Sequence, residues 1–127
     1  MGIRGNVSTD AHQMKISASL LSSQDMFVGI SNSGETQELA DAAKIAHEQG
    51  AFVAVVTNYK GSLITKHADL VLITSAKSNV NDARFINTQT ATTFLMDIIC
   101  YLLLNNDYMN QLYQRTRRTV LEKGEDK

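Results

Sequence analysis

Two hydrophobic patterns alternate along the chain. One is a short unbroken apolar run; the other is a stripe of apolar positions three and four residues apart. Residues 26–30 (Met-Phe-Val-Gly-Ile) form a continuous run, the pattern of a strand covered on both faces. Residues 51–57 are the clearest buried strand, and residues 70–74 form a third. The stripes lie between and around these runs. Ala11, Met14, Ala18 and Leu21 predict a helix over 10–21, capped by Thr9 or Asp10. Leu39, Ala42, Ala43 and Ala46 predict a helix over about 35–49, with Gly50 at its C-terminal cap. Ser62 is placed to cap a short helix through His67, with Leu63 and Ile64 inward. Ala91, Phe94, Leu95, Ile98 and Leu102 mark a long helix over 85–104. Ile99 and Leu103 broaden its stripe beyond what one sheet face needs, which predicts a helix buried on two sides, as at a dimer interface. After a break at 105–107, a last helix over 108–123 places Met109, Leu112, Tyr113 and Val120 inward.

Strands alternating with helices at this rhythm predict an α/β fold: a three-layer sandwich with a parallel sheet flanked by helices, doubly wound. The first nine residues contain two glycines and make a poor helix; a short edge strand over Ile3 to Val7 fits them better. Residues 75–84 are a polar loop after a strand's carboxyl end, readable either as a pocket lid or as a solvated connection.

Composition narrows the function class. The chain has 127 residues, enough for one domain with a real core. Its net charge of -1 gives no support to direct binding of nucleic acid or an anionic membrane. Arg115, Arg117, Arg118 and Lys123 near the end of the last helix fit a solvated face that favours the helix dipole. The single cysteine, Cys100, lies in an apolar helical run, which predicts a small core residue and a reducing, cytoplasmic setting. No apolar run approaches the ~20 residues needed to cross a bilayer. The three histidines lack helical or finger spacing, so no metal site is assigned; no dinucleotide fingerprint and no cofactor are expected.

The candidate chemistry sits between the first run and the second helix. Ser31-Asn32-Ser33-Gly34-Glu35-Thr36 follows an apolar strand and opens a helix. A helix start carries unpaired N–H groups and a partial positive charge, so it suits a phosphate. With no Lys or Arg in the loop, the donors are the hydroxyls of Ser31, Ser33 and Thr36, the Asn32 amide and backbone N–H groups. Gly34 permits close approach or a positive φ. Ser33 is also a good helix N-cap, and with Thr36 it has the outline of a weak capping box; the residue types alone leave capping and phosphate binding both open. Glu35 and Glu38 favour the helix dipole but would repel a phosphate, so Glu35 is expected to point away from it.

These residues, preceded by Asp25, resemble the phosphosugar-binding loop of the sugar isomerase (SIS) domain. The likeness continues through Gly50, a strand ending in Thr57-Asn58, and Ala68-Asp69 before the next strand, and covers about residues 7–105. Within that superfamily, His12, Leu20-Leu21 and Asp25 ahead of the loop resemble the sugar-sensing domain of RpiR-type transcriptional regulators. The resemblance implies that Ser31, Asn32, Ser33, Gly34 and Thr36 bind the phosphate of a sugar phosphate, with His12 and Glu35 as candidate ligand contacts. It implies a homodimer or higher homo-oligomer. It also implies a partial SIS domain, truncated at the N-terminus: the family's first strand and its Gly-x-Gly-Ser-like loop have no counterpart before residue 30, and no helix-turn-helix domain is present.

The superfamily holds both aldose–ketose phosphosugar isomerases and non-catalytic sensors. Isomerisation needs a base, and the candidates are Glu35, His12, His47 and His67. His47 and His67 fit surface positions. Arabinose-5-phosphate isomerases carry His-Gly-Asp before the Ser-Gly-Glu motif; here the sequence is His12-Gln13-Met14, with a longer spacing to Asp25. That departure favours a sensor, with an isomerase as the alternative, and no residue is assigned as catalytic.

Overall fold

The computed structural model describes residues 4–74 and 84–122. They fall into two compact units: 6–92, which carries the sheet, and the helical stretch 93–122, to which residues 4–5 also belong. Residues 75–83 of the 75–84 loop, the first three residues and residues 123–127, with Lys123 of the predicted last helix, lie outside the described residues.

In the first unit, helix α1 (Ala11–Ser19) is followed by strand β1 (Met26–Ile30), helix α2 (Gln37–Glu48), strand β2 (Phe52–Thr57), a 3-10 helix (Leu63–His67) and strand β3 (Leu70–Ile73). The sheet order is β1-β2-β3, with both pairs parallel. This is the α/β arrangement with a parallel sheet and flanking helices that the alternation of runs and stripes predicts. Residues 4–9 form no strand; Val7, with no apolar neighbour in the sequence to alternate with, is 93% exposed.

Each element has a local cause. Asp10 caps α1, its Oδ1 accepting the Gln13 N–H at 2.9 Å. Asp25 closes the turn before β1: its Oδ2 accepts the Ser22 N–H at 2.8 Å and the Ser22 hydroxyl at 2.7 Å. The Ser22 hydroxyl, then the Ser22 N–H, hold the Asp25 carboxyl below its ordinary 3.8. Gly50, at φ +83°, ends α2, its N–H reaching the His47 carbonyl at 2.9 Å. Asp69 fixes the entry of β3: its Oδ2 accepts the Val53 N–H and its own N–H reaches the Val53 carbonyl, both at 2.8 Å.

The core lies between one sheet face and α2. Leu39, Ala42, Ala43 and Ala46 of the predicted stripe are all buried, together with Ala40, Val53, Val55 and Ile64. Alanines at the contact let the helix approach the sheet closely, and Gly29 on β1 leaves room for Leu39, whose Cδ1 lies 3.6 Å from where a Gly29 Cβ would stand. Lys15 on α1 ties to Asp41 on α2 at 2.9 Å.

The opposite sheet face differs from expectation. Met26, Val28 and Ile30 alternate outward from β1 and are 45–61% exposed; Phe52 and Leu70 beside them are 47% and 43% exposed. The continuous run in β1 predicts cover on both faces, whereas among the described residues α2 and the 3-10 helix pack on one face and the other is open along β1, although Ala54 and Val56 of β2 on that side are buried. An unbroken apolar run records that a strand is meant to be dry, not what dries it.

In the helical unit, α3 (Arg84–Leu104) continues from the first unit and α4 (Asp107–Glu122) follows. Asn106 caps α4, its Oδ1 accepting the Tyr108 and Met109 N–H groups at 3.1 and 3.3 Å. Met109 and Leu112 are partly buried, but Val120 is 69% exposed, so the inward stripe of α4 stops short of its predicted end. On α3, Phe94, Ile98 and Leu102 are 40–65% exposed; the broad apolar stripe is not buried on two sides within one chain. Cys100 is free and partly buried. No described helix is long and apolar enough to cross a membrane.

Candidate functional site

The 31–36 loop leaves the carboxyl end of β1 and is tied at once to the end of β2. The Ser31 N–H donates to the Val56 carbonyl at 3.0 Å, and the Asn32 carbonyl accepts the Asn58 N–H at 3.0 Å and the Thr57 hydroxyl at 3.4 Å. Thr57 itself is 1% exposed. The loop is therefore anchored on a buried strand end.

Inside the loop the hydroxyls organise the backbone. Ser31 Oγ accepts the Gly34 N–H at 3.1 Å and lies 3.1 Å from Thr36 Oγ1; Ser33 Oγ accepts the Glu35 N–H at 3.2 Å. Ser31 and Thr36 share one hydrogen bond, so one of their two O–H groups remains to donate, and the Ser33 O–H remains as well. Asn32, Ser33 and Thr36 are exposed and Ser31 is half-buried.

Gly34 makes the turn possible. Its φ is +71°, and a Cβ there would stand 2.0 Å from Ser62 Oγ and 2.7 Å from Thr57 Oγ1. Its carbonyl accepts the Ile64 N–H at 3.0 Å, and Glu35 Oε1 accepts the Leu63 N–H at 3.2 Å. The loop thus holds the start of the 3-10 helix, and Glu35 is turned toward that helix.

The helix behind the loop begins later than the sequence suggests. Ser33 is not its N-cap: Thr36 holds that position and makes no side-chain capping bond. The reason lies at Gly34, whose left-handed φ keeps the chain out of the helix for two more residues. Ala40 donates to the Thr36 carbonyl at 3.0 Å. The N–H groups of Gln37, Glu38 and Leu39 therefore have no acceptor inside α2. With the free hydroxyls beside them, they form an uncapped, electropositive helix start that suits an oxyanion.

His12 lies exposed on the first turn of α1, and no hydrogen bond among the described residues ties it to the loop. Thr57 and Ser62, which shape the loop from beneath, read in sequence only as a strand end and a helix cap. The signal that could have found them is Gly34, since a glycine in a hydroxyl-rich loop marks a place where something packs close. Ser62 Oγ is buried without a hydrogen-bond partner. Elsewhere, a hollow of about 610 Å³ at the α3–α4 turn is lined by Ile99, Leu102, Leu103, Asn106, Tyr108 and Met109. With one amide among its lining side chains and no cation, it lacks what would orient an anionic ligand. No group of three metal-ligating side chains occurs among the described residues.

The SIS domain family model matches residues 5–101. An uncharacterized HTH-type transcriptional regulator of Haemophilus influenzae is 34% identical over 124 residues, covering 96% of this chain and 43% of its own length. The HTH-type transcriptional regulator RpiR of Escherichia coli K12 is 29% identical over 122 residues, covering 94% of this chain and 41% of its own length. The chain therefore spans about two fifths of the length of these curated relatives. Among solved structures, the Vibrio vulnificus NanR protein complexed with ManNAc-6P has the same fold, with a TM-score of 0.77 at 24% identity over 91% of this chain and 44% of that one. The family match extends over most of the chain, from before α1 into α3, and includes the whole hydroxyl-rich loop: this chain belongs to the SIS domain family.

Proposed function

We propose that this chain is the phosphosugar-sensing domain of an RpiR-type transcriptional regulator of the cytoplasm. In this reading the 31–36 loop and the start of α2 hold the phosphate of a sugar phosphate. One observation carries it: α2 starts at a Thr36 that does not cap it, beside a Ser33 hydroxyl and one of the Ser31 and Thr36 hydroxyls that still have a hydrogen to donate. A helix start whose own cap residue makes no capping bond is suited to a ligand that completes it. The similarity to HTH-type regulators and the sugar phosphate in the NanR complex support the regulator reading. Phosphate would enter among Ser31, Asn32, Ser33, Gly34 and Thr36. Glu35, engaged by the Leu63 N–H, holds the loop rather than the ligand. His12 is a contact only for the sugar end.

The test is thermal unfolding against a panel of sugar phosphates, with inorganic phosphate and the unphosphorylated sugars as controls. A ligand at 100 times its dissociation constant adds about 2.7 kcal/mol, a shift of several degrees for a domain of this size. Ser33→Ala should weaken binding about tenfold or more, since it removes a donor to a charged group, while the loss of its exposed bond from the Glu35 N–H should lower the unliganded melt only slightly. Equal affinity in the variant would remove Ser33 from the site. A turnover assay on the same panel separates a sensor from an isomerase. We also propose that the domain works as a homo-oligomer, supported by the exposed apolar face of the sheet.

A further inference from the structure

The fold brings together two histidines that the sequence keeps apart. His47 sits in the last turn of α2 and His67 ends the 3-10 helix; their ring centroids are 5.9 Å apart, with planes tilted by 43°. We propose that His47 and His67 form a two-imidazole binding site for a divalent transition metal of the Zn²⁺, Ni²⁺ and Cu²⁺ class.

The spacing of the two rings suits it. A coordinating imidazole nitrogen lies about 2.0–2.1 Å from zinc, which puts each ring centre about 3.2 Å from the metal. Two rings on one metal are then separated by about 5.2 Å at a tetrahedral angle and by at most about 6.4 Å. The observed separation falls inside that range, so the two rings already stand as far apart as two ligands of one ion do. Both carriers are fixed. Ile64 of the 3-10 helix, 1% exposed, belongs to the same buried cluster as Ala42, Ala43 and Ala46 of α2. His47 is exposed and His67 half-buried, so an ion has access and water completes its coordination.

The surrounding charge is mixed. The C-terminal end of α2 favours a cation. Lys44, three residues before His47, opposes it but is paired with Glu48 at 3.8 Å; Lys66 precedes His67. Asp69 Oδ2 is engaged by the Val53 N–H. The site therefore rests on two protein ligands, and by the Irving–Williams order Cu²⁺ binds it more tightly than Ni²⁺ or Zn²⁺. It is separate from the hydroxyl-rich loop, because α2 spans about 18 Å between them. The two ends share their elements: the loop holds the start of the 3-10 helix through Gly34 and Glu35, and a metal would join that helix to α2 at the far end.

The experiment is calorimetric titration of the whole chain, free of any affinity tag, with Cu²⁺, Ni²⁺ and Zn²⁺ salts, alongside copper absorbance spectra. The expected result is one ion per chain with nitrogen-ligand copper bands. His47→Ala and His67→Ala should each weaken binding by at least about tenfold, and His12→Ala should leave it unchanged. Melts in EDTA check that each variant is folded, with His→Gln replacements used where alanine lowers the melt. The proposal is overturned if the wild-type chain takes up no ion, or if the His47 and His67 variants bind as the wild type does.

Discussion

At the scale of single residues, Gly34 and Ser62 make an opposed pair. Gly34 cannot carry a side chain: its φ of +71° strains any L-residue, and a Cβ would collide with Ser62 Oγ. Gly34→Ala should lower the unfolding free energy by roughly 2–4 kcal/mol, combining left-handed strain with overpacking, as read by urea denaturation. Ser62 lies on the other side of that contact, and its buried hydroxyl bonds to nothing in the structure. Ser62→Ala removes an unpaired polar group without emptying much space. It should leave stability unchanged or raise it by up to about 1 kcal/mol. A loss of 1 kcal/mol or more in Ser62→Ala would mean that the hydroxyl has a partner, and the picture of the loop resting on an inert serine would fall. The six loop residues were legible in sequence because they are contiguous. Thr57 and Ser62 were not, because they arrive from β2 and the 3-10 helix, and nothing local to them signals the glycine they meet.

At the scale of elements, periodicity located the helices and strands but not always their faces or first turns. β1 spans the predicted residues, since an apolar run between turn residues has one reading; its exposed side was hidden, since the run has no polar alternation to mark it. α2 was legible through its alanine stripe, and its start was misplaced because a good capping residue, Ser33, precedes a glycine that turns the chain away from the helix. The α1–α2 tie was also invisible, as Lys15 and Asp41 lie on different stripes of different helices. Lys15, then Gln37, hydrogen-bond the Asp41 carboxylate, and with the charge of Lys44 they hold its pKa below the ordinary 3.8. A carboxylate lowered in the native state contributes stability that is complete above its unfolded value and is lost as pH falls through the native one. The melting temperature should therefore drop as the pH falls below about 4, with Asp25 adding in the same direction. Asp41→Asn should melt lower than wild type at neutral pH and converge on it in acid. Parallel curves across that range would show that the Lys15–Asp41 contact does not hold α1 to α2 in solution.

At the scale of the molecule, the unevenness of the sheet is the main unsolved contact. One face is closed by α2 and the 3-10 helix; the other exposes Met26, Val28, Ile30, Phe52 and Leu70, and β1 is also the edge of the three-stranded sheet. Apolar side chains on an edge strand combine an exposed apolar patch with unpaired backbone donors and acceptors, the combination that natural edges avoid by placing lysine or a bulge there. β1 has neither. The chain should therefore self-associate through this side, with a weight-average mass by light scattering that rises above 14.0 kDa as concentration increases. Val28→Lys together with Ile30→Lys should return it to the monomer mass with a modest drop in the melt of the isolated chain, because both side chains are 45–49% exposed but flank the buried Ala54 and Val56. If the wild-type chain stays monomeric, the outer face is tolerated bare, and the proposed homo-oligomer would need another surface. If the double variant still associates, the surface is to be sought on α3, where Phe94, Tyr101 and Leu102 are 61–67% exposed, and Leu102→Glu becomes the discriminating substitution.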